Sequence, residues 1–321
     1  MIRVLHVTNA FPNAAQPDYG IFIKEQIDSL DPSLVESRVL VIARGGGIGA
    51  YLASIPTVRR AAAWADLVHC HHMLCGMVAI LALLGRKSLV SFMSDGALNY
   101  KGRPRWLGGV MFRFVSRFIA FNIYKSSVPK EYASKSALLP NGVDLTRFTL
   151  GSRTRAKSSL DLRSDCNYVL FVSAVRLDRR EKRYDFFRLV VGELKRRHPG
   201  RYEELIMSRV ERQYVPRSFQ AASVHLLTSD VEGSPNSIKE ARATGTPVVA
   251  RNVGSVAALI DGVAGCEIFE EDDVMAVADM VERAVDTRSD EVRHDFLKMD
   301  LSNRSVADRL QALYLRMLER Q

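Results

Sequence analysis

Two successive blocks of short apolar runs alternating with amphipathic helical patterns constrain this 321-residue chain more than any other feature. In the first block, strands are expected at residues 3–8, 38–43, 67–71, 88–92, 118–124 and 137–140, with helices at 21–30, 52–63, 74–84 and 106–117. The second block reads as strands 168–173, 205–208, 224–228 and 247–250, with helices at 184–197, 216–222 and 272–285 and a further helix from Pro235 to a stop at Gly245. Strand–helix alternation builds a parallel sheet covered on both faces. Done twice, it predicts an α/β chain of two doubly wound, Rossmann-like domains. Ligands of such sheets sit at strand carboxyl ends, here expected in an interdomain cleft. Polar residues 151–167 mark a linker with a short helix. The domains therefore read as 1–150 and 151–300, followed by a segment 301–321 whose helix places Val306, Leu310, Leu313, Tyr314 and Met317 on one face.

A hydrophobic content of 47% is that of a globular chain, and no apolar run is long enough to span a bilayer. The first residues enter a strand directly, without the layout of a signal peptide, and Cys70, Cys75, Cys166 and Cys266 have no framework spacing. Both features predict a reduced, cytoplasmic protein. Lys plus Arg exceed Asp plus Glu by 45 to 36, a net charge of +9, which suits nucleotide diphosphates, anionic lipid or nucleic acid without choosing among them.

The richest short segment runs from Asp230 through Glu232, Gly233, Ser234, Pro235, Asn236 and Ser237 to Glu240. A strand precedes it, Ser234-Pro235 reads as an N-cap with proline at the first helical position, and Gly245 with Pro247 ends the helix. Glu240 then lies roughly 7–8 Å along the helix from its mouth. A free helix N-terminus binds phosphate. An acid on either side of it can hold sugar hydroxyls at both ends of a nucleotide-diphosphate sugar.

That segment resembles the donor-site motif of retaining glycosyltransferases of family 4, two glutamates separated by seven residues on a GT-B fold. Further matches fall in the family's order. Ile2 to Asn9 followed by Asp18-Tyr19-Gly20-Ile21-Phe22 resembles its first strand and glycine-containing loop. Pro140-Asn141-Gly142-Val143-Asp144 with Phe148 resembles the exit from its first domain, and Phe171-Val172-Ser173 through Arg176 to Lys182 its diphosphate-holding strand and basic loop.

The resemblance implies a hexosyl transfer from a UDP- or GDP-sugar to a glycan or lipid-linked acceptor, with retention and no required metal or cofactor. It resembles most the compact transferases of bacterial envelope polysaccharide synthesis. Glu240 would take the ribose diol and Glu232 the transferred sugar. Arg176 and Lys182 would stabilise the leaving diphosphate, a role for fixed cations in the transition state. Gly20 would let its loop approach the diphosphate, and Gly233, Ser234, Pro235, Asn236 and Ser237 would line the donor. The terminal helix would pack back on the first domain. Which of Arg176, Arg179, Arg180, Lys182 and Arg183 faces the ligand is open from the residues alone.

On the acceptor side, Asp66-Leu67-Val68-His69-Cys70-His71 is similar to the family's Asp-x-x-His-x-His strand end, which points to His71. Asp95 stands in a segment that often reads His-Gly-Ser-Asp but here lacks the histidine; capping of the next helix is its other role. Ser173 replaces a common glycine, and the stretch from Lys182 to Glu232 is short for the family. The cluster His69, Cys70, His71, His72, Cys75 invites a metal, yet consecutive strand residues face opposite ways, so none is expected.

Three other readings compete. Gly45-Gly46-Gly47-Ile48-Gly49-Ala50 formally fits a dinucleotide fingerprint of an NAD-dependent epimerase or dehydrogenase, but it follows the second strand and no tyrosine is followed by lysine four residues on. A nucleic-acid binder would cluster its basic residues, which here are dispersed. A GT-B fold can also be catalytically inactive. Residues 103–121 carry Trp106, Leu107, Val110, Met111, Phe114, Val115 and Phe118 among arginines, which reads as a core-facing helix or as a basic amphipathic face for anionic lipid.

Overall fold

Both blocks of apolar runs form all-parallel sheets. The computed structural model describes residues 1–14, 16, 19–42, 47–93, 105–173, 179–287 and 289–320. The chain divides into two units, Met1–Gly142 with Asn303–Gln321, and Val143–Ser302.

In the first unit the strands are β1 (Ile2–Thr8), β2 (Val35–Val41), β3 (Leu67–His71), β4 (Ser88–Phe92), β5 (Phe121–Tyr124) and β6 (Ser136–Leu138). Their order is β2-β1-β3-β4-β5-β6. One face packs Val7, Cys70 and Val90 under helices α2 (Gly47–Ala61), α3 (Met73–Leu81) and α4 (Arg105–Phe118), through Val58, Val78 and Val115. On the other face Val4, Leu67 and Leu89 meet Val306, Leu310, Leu313 and Tyr314. The strand expected from residue 118 begins at Phe121, because α4 keeps its helical spacing through Phe118 before the Ala120 N–H closes onto Gly85 O at 2.9 Å.

The second unit orders its strands β11-β10-β9-β7-β8. They are β7 (Asn167–Val172), β8 (Tyr202–Met207), β9 (Val224–Leu227), β10 (Val248–Arg251) and β11 (Glu267–Phe269). Helices α6 (Tyr184–Arg197) and α10 (Val274–Val285) cover one face, burying Phe187, Val190, Val277 and Val281. The opposite face is buried by α7 (Val215–Ala221), α8 (Asn236–Ala243) and α9 (Val256–Ile260), with Phe296 from α11 (Ser289–Leu297). β11, α9 and α11 have no counterpart in the sequence reading; they are too short or too polar to give a clear period.

Each sheet reverses its winding once, between β1 and β3 in the first unit and between β7 and β9 in the second. In open α/β sheets, ligands bind outside the strand carboxyl ends at such reversals. All four cysteines are free thiols.

Candidate functional site

At the β7/β9 reversal, the loop after β7 and the loop after β9 are laced together. Thr228 Oγ1 donates to the carbonyls of Lys182 at 2.8 Å and Arg183 at 3.0 Å, and the Asp230 N–H donates to Glu181 O at 2.9 Å. Lys182 ends a single 3-10 turn, and Arg183 takes a left-handed conformation (φ 52°) that turns the chain into α6. Lys182 Nζ thereby reaches Glu232 Oε1 at 2.5 Å, with the two side chains only 18% and 17% exposed.

Neighbouring charges sort the rest of the basic loop. Arg183 spans Asp230 (3.2 Å) and Asp272 (2.7 Å), and Arg251 shares Asp272. Arg179 pairs with Glu181 at 2.8 Å. These arginines hold the loop in shape, whereas Lys182 points at the acid of the motif. Arg176 lies outside the described residues.

The helix of the motif starts one residue later than its sequence suggests. Pro235 (φ −64°, ψ 116°) occupies the N-cap, Asn236 opens α8, and no side chain caps the helix. Ser234 is therefore not the cap; its hydroxyl is buried without a hydrogen-bond partner, as is that of Ser255. The backbone decides this. Gly233 O accepts the Ser255 N–H at 2.8 Å, and Gly254 at φ +58° comes so close that a Cβ there would lie 2.2 Å from Gly233 O. That contact pins the Glu232–Gly233 loop beneath the mouth of α8.

Ser237 is committed below the helix mouth. His225 sits in β9 with Nδ1 3.0 Å from Leu170 O and Nε2 3.0 Å from Ser237 Oγ. A carbonyl only accepts, so Nδ1 carries the proton and the Ser237 hydroxyl donates to Nε2. Burial foremost, with Lys182 nearby, pushes His225 down to about 4 and keeps it neutral. The Ser237 hydroxyl proton is thus spent on His225.

Glu240, 7% exposed, meets Arg212 at 2.7 Å, and that guanidinium lies 4.8 Å from the centre of the Phe148 ring. Arg212 escaped sequence reading because it stands in the loop after β8, remote from both motifs. Its only signal is a basic residue just beyond a strand's carboxyl end.

In the first unit, Gly20 caps α1 (Ile21–Asp28) at φ 73°, and a Cβ there would sit 2.3 Å from Ala10 O. Glycine is required for the two ends of the β1–α1 loop to touch. His71 is buried, with Nε2 2.9 Å from His6 Nδ1 and Nδ1 unpartnered. Asp95 lies outside the described residues, as do Gly45 and Gly46. α2 begins at Gly47, beyond β2, the edge strand, so the glycine run does not follow either strand at the β1/β3 reversal.

His6, His69 and His71 bring ring nitrogens within 4.8 Å of one another. Their geometry opposes a metal. His69 spends both nitrogens, on Tyr314 Oη at 2.7 Å and Ser91 Oγ at 2.9 Å, and it stacks on His71 at 4.0 Å and 25°. Lone pairs of stacked imidazoles lie in nearly parallel planes and do not converge on one ion. The trio is better described as a hydrogen-bonded core layer.

Residues 166–287 match the family model described as glycosyl transferases group 1. No curated protein matches the sequence. Among solved structures, sucrose-phosphate synthase from Thermosynechococcus elongatus superposes with a TM-score of 0.81 at 15% identity, covering 99% of this chain and 100% of that one. Anabaena HepE in complex with UDP-glucose gives 0.72 at 14% identity, covering both chains fully (100% each). An α,α-trehalose-phosphate synthase (UDP-forming) from Burkholderia xenovorans, in complex with glucose-6-phosphate, gives 0.70 at 12%, covering 99% and 100%. The chain has the GT-B fold, and its residues 166–287 resemble the glycosyl transferases group 1 family.

Proposed function

We propose that this protein transfers a hexosyl group from a nucleotide-diphosphate sugar to a hydroxyl of a glycan or lipid-linked acceptor, with retention at the anomeric carbon, in the synthesis of an envelope polysaccharide. The observation that carries the reading is the Lys182–Glu232 pair, 2.5 Å apart at the winding reversal of the second unit, beside the uncapped mouth of the helix that bears Glu240. In the structure the cation and the acid neutralise each other. A diphosphate competes for Lys182, and the exchange frees Glu232 to accept hydroxyl groups of the sugar. On this reading the amides that open α8, from Asn236 and Ser237, together with Ser234, bind phosphate or sugar oxygens. Glu240, steadied by Arg212, takes the ribose diol, while Gly233 and Pro235 set the loop path.

Chemically, the acceptor oxygen bonds to the anomeric carbon on the face from which the diphosphate leaves, and a phosphate oxygen takes the acceptor's proton. Arg176 and Lys182 offset the charge that grows on the departing group, so no divalent cation is required. On this reading the first unit serves the acceptor. Asp95 orients the acceptor hydroxyl, and His71 braces the β3 end from beneath, while Gly20 belongs with the donor's diphosphate. The acceptor is met at an anionic membrane surface.

A thermal-shift panel of nucleoside diphosphates and nucleotide sugars tests the donor site. One base should stabilise selectively in the wild type and not in Glu240→Ala. NMR of the product should show the donor's anomeric configuration, and activity should survive chelation by EDTA. A panel without any stabiliser, or an inverted product, contradicts the proposal.

A further inference from the structure

We infer that α4 and the turn packed against its C-terminal end form a docking face for an anionic lipid bilayer. The helix has two apolar faces. Val115 is fully buried, and Met111 and Phe112 pack against the same core. On the opposite side, Trp106, Val110, Phe114 and Phe118, spaced four apart, are 68%, 53%, 37% and 57% exposed. The inner face alone suffices to seat the helix on the sheet, so folding does not explain the outer stripe. Leu83, 77% exposed, extends it in the turn after α3, which the Ala120–Gly85 hydrogen bond ties to the end of α4.

Charge selects the occupant. Arg113 and Arg117 are exposed on the same side, and Arg86 is exposed in the adjoining turn. Lys135 donates to the carbonyls of Arg117 at 2.7 Å and Ile119 at 3.1 Å, cancelling the negative end of the helix dipole. No carboxylate occurs between Asp95 and Glu131, and Glu131 is flanked by Lys130 and Lys135. An aromatic stripe bordered by arginine and free of acid matches the interfacial zone of an anionic bilayer, where rings enter the acyl boundary and guanidinium groups meet phosphates. A two-fold pairing of copies through this face would bring Arg113 and Arg117 near their own equivalents, which like charge opposes. The face belongs to the first unit; the inference deepens the membrane-surface acceptor of the proposed function and uses none of the donor-site residues.

The test is co-sedimentation of the full chain with phosphatidylcholine vesicles with and without phosphatidylglycerol. Binding should require the anionic lipid and weaken with salt. Phe114→Glu should reduce it by about tenfold or more while leaving stabilisation by nucleoside diphosphates unchanged. Trp106 reports directly: vesicles should shift its emission to the blue, and the shift should vanish in Trp106→Phe, since the other tryptophan, Trp64, lies under Arg38 at 3.9 Å. Protein that stays in the supernatant with anionic vesicles, or an unshifted Trp106, overturns the inference. So does a concentration-dependent dimer that Phe114→Glu dissolves without any vesicle binding. Loss of vesicle binding with donor stabilisation intact would leave the transferase reading standing, so the two can fail separately.

Discussion

Lys182 and Glu232 are 50 residues apart in sequence and share a contact shielded from solvent on both sides. Neither loop alone would hold its charge there; the Thr228 and Asp230 hydrogen bonds bring the two together. Replacing Lys182 with Ala removes the cation proposed to meet the departing diphosphate and takes away the lysine partner of Glu232. kcat should fall by about 10²–10³, measured at saturating donor, with the circular-dichroism spectrum retained. Wild-type turnover in that variant contradicts the role of the pair. Glu240→Ala should raise the donor KM or abolish turnover with the fold intact, and Arg212→Ala should raise KM while sparing kcat, since it acts through Glu240. Gly254→Ala is a sharper probe of the loop. Its Cβ would meet Glu232 O at 2.5 Å at a positive φ, so the loop must shift. Activity should drop more than stability does, and a fully active alanine variant would show that the loop's position does not matter.

Among the elements, β1, β3 and β9 carry buried histidines whose protonation opposes folding. Burial pushes His6 down to about 3 and His225 to about 4, and it holds His69 and His71 well below their ordinary range, helped by the neighbouring histidines and, last, by Lys125. In the unfolded chain each titrates near pH 6.5. Below that pH the unfolded state binds more protons than the folded one. The stabilisation is therefore complete above about pH 6.5 and is lost as pH falls toward the folded values, by about 1.4 kcal/mol per pH unit for each histidine. Urea midpoints should fall steeply between about pH 6.5 and 5, and a flat midpoint over that range would mean the histidines are not buried neutral. His6→Gln should flatten the slope.

For the molecule as a whole, the final helix α12 (Asn303–Leu318) completes a core that begins at Ile2. Tyr314 Oη bonds His69, and the Asp31 N–H bonds Gln311 Oε1 at 2.5 Å. The first unit thus uses both ends of the chain, and Gly142 lies against Asn303 where the chain leaves and returns; a Cβ there would be 2.7 Å from the Asn303 Cα. Truncation after Ser302 strips Val306, Leu310, Leu313, Tyr314 and Met317 from that core. It should yield insoluble protein or a lowering of Tm by about 10 °C or more, read by calorimetry. An unchanged transition would mean the helix is not part of the fold.

Local chemistry determined much of this in advance. The strand–helix alternation set two parallel sheets, because a strand with both faces buried must be apolar throughout and its return path must be helical. The spacing of Glu232 and Glu240 and the stop at Gly245 are also local, and they marked the motif before any coordinates. What only tertiary structure decided are contacts between segments remote in sequence. These are the choice of Lys182 from a run of basic residues, the pairing of Glu240 with Arg212, the loss of Ser234 as a cap to a backbone pinned by Gly254, and the outward turn of Trp106 and Phe114. A one-dimensional pattern records how apolar a residue is and how often the pattern repeats. It does not record which of two apolar helix faces meets the sheet, nor which acid a distant loop will carry to a given lysine.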